Sequence, residues 1–409
     1  MSSYFPFRHR TIALAAALTA VLAVGTLANG KHARGADDIR VPAHTEEVLE
    51  RLPVGARSNE ARELARLRSA QRRTPADLRA ATALARRNIG EARTRSDPRY
   101  LGYAQAALAP WWTAAEPPPE VLVLRATISQ SLHDFDRALV DLDHAIATNP
   151  GDPQAWVTRA TILTVRGDYA RAQESCTKVV ELASVLAGTV CRTTIASLTG
   201  HARDAHAALS DAVTQSSQLS PDEIGWAVSS LGEFAVRFGD ALRAEAHFKR
   251  ALTIDPNDGY VLGAYTDLLL DQGRSDVVVR LLGSRTENEG LLLRLAIAEA
   301  RIAPEAQITK EHVLSLVARF DASRARGDTV HRREESRFVL ALRGDPGRAL
   351  ELARANWEVQ REPWDVRVLV EAARAANDPG AAKSALDFVR AHGLEDPMVR
   401  GVARELEGS

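Results

Sequence analysis

The sequence contains few aromatic residues, and apolar and polar residues nowhere alternate over the length of a strand. Aromatic residues make up 5% of the 409 positions, whereas hydrophobic residues as a whole make up 45%. Strands favour aromatic and β-branched side chains in an alternating pattern, and disordered chains contain too few apolar side chains to form a core. The scarcity of aromatic residues and the lack of alternation exclude a strand-rich fold, and the hydrophobic content excludes a disordered chain. The many Ala and Leu residues indicate an all-α protein.

An excess of charge of either sign is also lacking over the chain as a whole. The formal net charge is −1, which gives no general attraction to nucleic acid. Arginines cluster in one stretch, positions 51–99, which holds 13 arginines and five acidic residues and no aromatic residue to stack on bases. Two interpretations of this stretch stay open: a solvated helix face, or a surface for anionic lipid headgroups or an acidic partner.

Motifs that carry catalysis or hold cofactors are absent. The sequence has no His-Glu-x-x-His, no Gly-x-Ser-x-Gly, no phosphate loop and no Gly-x-Gly-x-x-Gly. Cys176, Cys191, His201 and His206 are the one set that suggests a metal, but they lack the closely spaced first pair that zinc modules use. We therefore expect no enzymatic activity, no metal site and no cofactor.

The first 30 residues have the pattern of an export signal. Arg8 and Arg10 form a basic start, and positions 11–28 are uncharged and dominated by Ala, Leu and Val. Because these 18 residues lie between the length of a signal-peptide core and that of a membrane-spanning helix, a cleaved signal peptide and an uncleaved membrane anchor both stay open. Either one predicts an exported protein, periplasmic or anchored in the inner membrane and facing the periplasm.

A repeat of about 34 residues runs through the middle of the chain. The tetrapeptide Arg-Ala-Thr-Ile at 125–128 recurs at 159–162, and glycines suited to end a first helix occur at Gly167, Gly200, Gly239 and Gly273. Each predicted second helix places a small and a large residue four positions apart on one face. The small residues are Ala138, Ala172, Ala205 and Ala244, and the large ones are Leu142, Cys176, Leu209 and Phe248.

This helix–turn–helix pattern resembles the tetratricopeptide repeat (TPR). Trp156, Gly167, Tyr169 and Ala172 match the TPR signature in one unit, and Leu231, Gly232, Ala244, Phe248, Ala251 and Pro256 match it in another. The resemblance implies an all-α fold, a right-handed superhelical solenoid of antiparallel helix pairs. Counting the weaker units at both ends, we expect about eight to nine hairpins.

The strength of the resemblance divides the chain into five segments. Specific matches cover the middle, and helical spacing without a signature continues on both sides. The expected segments are a signal peptide or N-terminal membrane anchor at 1–30, a tether with short Arg-rich helices at 31–74, an N-terminal helical hairpin at 75–118, a core TPR array at 119–286 and degenerate C-terminal helical repeats at 287–409.

The two cysteines occupy facing positions in this repeat. Cys176 lies in a predicted second helix and Cys191 in the next first helix, with the connecting loop near Ala183, about midway between them. In an oxidising compartment a disulfide here would close a loop of about 15 residues. The alternative is a pair of buried thiols that pack as small hydrophobic residues.

The resemblance also implies how such a protein acts. First-helix residues of a TPR solenoid line a concave groove that receives a peptide or a helix, and the corresponding residues here are Thr127, Gln130, Thr161, Thr164, Glu233 and Arg237. The predicted function is a non-enzymatic protein–protein interaction scaffold of the cell envelope. The alternative is a carrier of a non-protein envelope ligand, a glycan or an anionic lipid, held by the Arg-rich N-terminal region or the groove.

Overall fold

A computed structural model describes residues 59–95, 98–216 and 219–407 of the chain. The predicted signal peptide or membrane anchor and the predicted tether up to position 58 lie outside these residues. In the part that is described, no helix is long and apolar enough to cross a membrane.

Twenty-one α-helices and no strand occupy the described residues. A π-helical turn, Val339–Arg343, extends α17, and a 3-10 turn, Pro379–Ala382, precedes α20. The helices are α1 Asn59–Arg73, α2 Leu78–Arg95, α3 Arg99–Ala107, α4 Ala109–Trp112, α5 Pro119–Ser131, α6 Phe135–Thr148, α7 Pro153–Val165, α8 Tyr169–Leu182, α9 Val185–Leu198, α10 Ala202–Gln215, α11 Pro221–Arg237, α12 Ala241–Ile254, α13 Gly259–Asp271, α14 Ser275–Leu282, α15 Glu289–Ile302, α16 Gln307–Ala325, α17 Arg332–Phe338, α18 Pro346–Trp357, α19 Pro363–Ala375, α20 Lys383–His392 and α21 Pro397–Glu407.

Successive helices form nine hairpins within the described residues. The first hairpin is α2 with α3, the second is α5 with α6, and the series continues through α19 with α20, while α1 and α21 pack at the two ends. Each hairpin also packs on the next one, as α8 does on α9 and α12 on α13. The expectation of an all-α, TPR-like solenoid is therefore confirmed.

The turn between the two helices of a hairpin is left-handed, as the glycine spacing predicts. Gly167, Gly200, Gly239 and Gly273 have φ values of 76°, 82°, 83° and 73°. A residue with a Cβ is strained in this conformation, whereas glycine adopts it freely and ends a helix there. Asp168 and Asp240, directly after two of these glycines, accept hydrogen bonds from backbone N–H groups three residues later and so cap the second helix.

The repeated alanines and large residues are buried in the core of the stack. The four alanines are at most 3% exposed, and Leu142, Cys176, Leu209 and Phe248 are at most 1% exposed. Small side chains let two helix axes approach closely, and the large side chain fills the remaining space. Among the described residues the largest core cluster runs along the stack from α5 to α21, a second joins α1 to α5, and a third, which contains Ala205 and Leu209, joins α9, α10 and α11.

Replacement of Gly232 in α11 by Ala is expected to destabilise the stack by about 1–3 kcal/mol, because overpacking a filled core forces neighbouring atoms apart. A Cβ at Gly232 would lie 2.5 Å from Cε1 of Phe248, whose ring is 1% exposed. Urea denaturation measures the effect. The matched control is Gly90→Ala in α2, where no atom lies within 4 Å of the new Cβ and higher helix propensity is expected to stabilise by up to about 1 kcal/mol. An equal change in the free energy of unfolding in the two variants would contradict this packing.

The last hairpins fold back onto earlier ones. The backbone N–H of Arg361, between α18 and α19, donates to the carbonyl oxygen of Val165 at the end of α7 over 2.7 Å. The ring of Phe388 in α20 packs over Gly167, where a Cβ would lie 2.6 Å from it. These contacts place the C-terminal hairpin against the turn of a hairpin about 200 residues earlier in the chain.

Two further contacts continue this fold-back along the stack. The Glu395 carboxylate accepts a hydrogen bond of 3.1 Å from the backbone N–H of Ala202, the first residue of α10. The start of α21 lies beside the next turn, where Pro397 is 3.4 Å from the position of a Cβ on Gly239. The solenoid is therefore closed on itself, and its C-terminal helices cover the turns of the third to fifth hairpins.

Candidate binding site

The first helices of the hairpins surround a cavity on the inner face of the stack. Its volume is about 390 Å³. Residues of α7, α9, α11, α13, α15, α17 and α19 line it, together with the start of α21. The C-terminal helices cover one side of this inner face, so the groove that the resemblance implies is partly closed here.

One wall of the cavity is a cluster of buried ion pairs centred on Asp267 of α13. Asp267 accepts two hydrogen bonds from Arg294 of α15, over 3.0 and 2.6 Å, and pairs with Arg337 of α17 at 2.7 Å. The Asp267 side chain is only 5% exposed. Burial alone would raise the pKa of this carboxyl, but Arg294 and Arg337 hold it below its usual value. The aspartate is therefore ionised and joins three successive hairpins.

A second aspartate of α13, one helical turn later, reaches the last hairpin. Asp271 accepts two hydrogen bonds from Arg367 of α19, over 2.7 and 2.6 Å, which is the strong bidentate geometry of an arginine and a carboxylate. Arg367 and Arg337 both stack on Trp364, with guanidinium carbons 4.3 and 4.4 Å from the ring centre. We call Asp267, Asp271, Arg294, Arg337, Trp364 and Arg367 the inner ion cluster.

Glu233 of α11 faces the cavity without such partners. Its nearest cation is Arg237 at 3.6 Å, and its side chain is 20% exposed. Burial raises the pKa of Glu233 to about 7, Arg237 opposes the shift, and Glu362 adds to it. Arg237 is meanwhile engaged by a hydrogen bond of 2.8 Å to Ser197. The cavity therefore contains a carboxyl group that is only partly ionised near neutral pH.

Replacement of Glu233 by Gln is expected to stabilise the protein at pH 8 and to change little at pH 4. Since the pKa is raised on folding, stability is lost as pH rises from the unfolded value near 4.5 through about 7. The full difference is up to about 3 kcal/mol above pH 7. Urea denaturation of both proteins across this range measures it. If the free energy of unfolding of wild type and variant changed in parallel with pH, this would contradict the raised pKa of Glu233.

The six residues predicted to line a groove divide into two groups. Thr161, Thr164, Glu233 and Arg237 line the cavity, whereas Thr127 and Gln130 in α5 do not. The hydroxyl groups of Thr161 and Thr164 donate to carbonyl oxygens of their own helix, so they offer acceptor capacity only. The charged pair on α11 is therefore the better candidate for ligand contact.

The inner ion cluster was not predicted from the sequence, although the repeat contained a signal for part of it. Asp267 and Asp271 lie 34 positions after Glu233 and Arg237, which are themselves predicted groove residues. Continuing each column by one repeat would have found both aspartates. No signature marks Arg337 or Arg367, because their hairpins match the repeat only by helical spacing.

A disulfide joins Cys176 of α8 to Cys191 of α9, with Cα atoms 5.5 Å apart. Both residues are within the core, 0% and 5% exposed. His206 contacts His247 of α12, with 2.9 Å between the Nε2 atoms. Among the described residues no group of three or more His, Cys, Asp or Glu side chains is placed to hold a metal ion.

Comparison with known proteins gives likenesses of structure and none of sequence. No protein-family model matches the chain, and no curated protein matches it in sequence. A tetratricopeptide repeat protein from Parabacteroides merdae is 16% identical over 62% of this chain and 90% of its own, with a TM-score of 0.41. The Cut9–Hcn1 hetero-tetramer of the APC/C contains a chain that is 12% identical over 86% of this chain and 53% of its own, with a TM-score of 0.39.

A third likeness is to the human IFIT1 dimer with m7Gppp-AAAA. Its chain is 12% identical over 81% of this chain and 86% of its own, with a TM-score of 0.39. At such values the likenesses carry no functional assignment. The description of this chain as a TPR-like solenoid rests on its own helix pairs, its left-handed turns and its repeated alanines.

Proposed function

We propose that the protein is a non-enzymatic protein–protein interaction scaffold of the cell envelope, which binds a peptide or helix of a partner on its inner face. One observation carries the proposal: charged side chains of several first helices lie together on the inner face, where Asp271 of α13 bonds Arg367 of α19 and Glu233 and Arg237 of α11 line the same cavity. Charged side chains on several successive first helices give such a surface specificity for one partner over another.

The sequence supports the proposed place of action in the cell envelope. The basic start and apolar run of positions 1–30 support export, and a cysteine pair joined in the structure suits an oxidising compartment such as the periplasm. An alkaline phosphatase fusion after Gly30 tests this part. An active fusion is expected, and an inactive one would move the scaffold out of the envelope.

Site-specific photocrosslinking in cells tests partner binding. A crosslinking residue at Thr164, on the inner face, is expected to give discrete protein adducts, and the yield is expected to rise when Arg367→Gln weakens the bond between Asp271 and α19. The matched control position is Leu242, which is 83% exposed at the start of α12 and outside the cavity lining. Adducts that are absent from Thr164, or equally strong from Leu242, would refute the inner-face proposal.

A carrier of an anionic envelope ligand is the second candidate. Helix α1 exposes Arg62, Arg66, Arg72 and Arg73, and clustered arginines on a helix attract anionic headgroups. Flotation with phosphatidylglycerol vesicles distinguishes the candidates, because salt-sensitive binding that Arg66→Glu removes would favour the carrier. Phosphatidylcholine vesicles are the control.

A further inference from the structure

The cavity contains a group of polar side chains, at the junction of early and late hairpins, that the ion pairs leave incompletely satisfied. Tyr169 at the start of α8 lines it, is 5% exposed, and has a hydroxyl group that finds no hydrogen-bond partner among the described residues. Glu233 from α11 and Glu362 from the segment before α19 line the same cavity. A buried hydroxyl without a partner costs free energy, so this group points to a ligand that is held there.

The charges of the group favour a cationic ligand. Apart from Arg237, each arginine along the cavity wall is already bonded to a carboxylate. Arg333 bonds Glu362 at 2.9 Å, and the others bond aspartates of the inner ion cluster. An anion would have to displace one of these carboxylates. Within the part of the chain that the structure describes, Glu233 by contrast makes only the 3.6 Å contact with Arg237, and its oxygen atoms are acceptors for an N–H donor.

The remaining wall and the size of the cavity suit a small organic molecule. The aromatic side chains of Trp226 and Tyr260 line the cavity, and aromatic faces attract organic cations. A volume of about 390 Å³ lies in the range of small-molecule sites. A peptide would first have to displace the C-terminal helices, whereas a small molecule fits with them in place.

We propose that this cavity binds a small organic cation with N–H donors, an alkylammonium or alkylguanidinium compound, held by Glu233 beside the hydroxyl group of Tyr169 and next to Glu362, which keeps its pair with Arg333. The ligand bridges the third, fifth and ninth hairpins and so stabilises the closed solenoid, since a ligand that binds one form shifts the equilibrium toward it. This site goes beyond the scaffold function and does not depend on it.

Isothermal titration calorimetry on the full chain tests the proposal at pH 8, where Glu233 is ionised. The probes are agmatine and putrescine as cations and glutarate as an anion. Saturable binding of at least one cation is expected, with an affinity about tenfold or more weaker in Glu233→Gln, because a charge-assisted hydrogen bond is lost. Tyr169→Phe is expected to weaken it several-fold and to leave the ring in place.

The control is Glu174→Gln, an exposed glutamate on α8, which is expected to bind like wild type. Since Glu233→Gln is itself expected to be more stable than wild type at pH 8, a loss of binding in that variant is not a loss of folding. No saturable binding of either cation, binding of glutarate alone, or equal cation affinity in wild type and Glu233→Gln would overturn the proposal.

Discussion

Replacement of Asp267 by Asn is expected to lower the free energy of unfolding by about 3–5 kcal/mol, the usual cost of breaking a buried ion pair on one side. Asn has nearly the same shape, so the loss reports charge and not packing. Arg294 and Arg337, whose side chains are 14% and 15% exposed, would be left without their shared carboxylate. Two uncompensated guanidinium groups then face each other in a site from which water is largely excluded.

Chemical denaturation followed by circular dichroism measures this loss. The matched control is Asp276→Asn in α14, whose carboxylate pairs with Arg280 at 2.7 Å while both side chains are more than half exposed. Solvent screens such a pair, so its loss is expected to leave the unfolding midpoint unchanged. A similar midpoint for Asp267→Asn and wild type would show that the inner ion cluster does not hold the hairpins together.

Removal of the disulfide is expected to have the second largest effect, a loss of about 3 kcal/mol for a loop of 15 residues. The bond links the second helix of the third hairpin to the first helix of the fourth, so it limits how far these hairpins separate in the unfolded chain. The double variant Cys176→Ala, Cys191→Ala leaves two small apolar side chains in the core. Its unfolding midpoint in urea is expected to fall below that of wild type.

Two measurements separate the contribution of the disulfide bond to stability from that of the packing of the sulfur atoms. Titration of thiols in denaturant without reductant is expected to find none in wild type. Addition of dithiothreitol during denaturation is expected to shift the wild-type midpoint toward that of the double variant and to leave the variant unchanged. Two free thiols in the untreated protein would contradict the disulfide.

The features that could be predicted from the sequence are those set by local contacts. A left-handed turn at Gly167 or Gly239 is encoded by the glycine itself and by the capping aspartate that follows it. The buried alanines at Ala172 and Ala244 follow from helical spacing. Each hairpin packs mainly on its neighbours, so a repeat of about 34 residues is enough to predict the stack.

The closure of the solenoid could not be predicted in this way. It depends on contacts such as Glu395 with the Ala202 backbone, between residues 193 positions apart, and no periodic pattern relates such positions. Arg367 lies in a hairpin without a repeat signature, and its partner Asp271 is 96 positions earlier. The cavity follows from these contacts, so the sequence predicts the residues of α11 at the site but not the wall opposite them.

Hydrogen exchange of the Arg361 amide tests the closure of the solenoid most directly. This N–H lies between two helices and donates to the carbonyl oxygen of Val165, 2.7 Å away on α7. We predict slow exchange in wild type, like that of the helical Val366 amide, and fast exchange of Arg361 alone in Phe388→Ala. Fast exchange of Arg361 in wild type, with Val366 still protected, would contradict the closure.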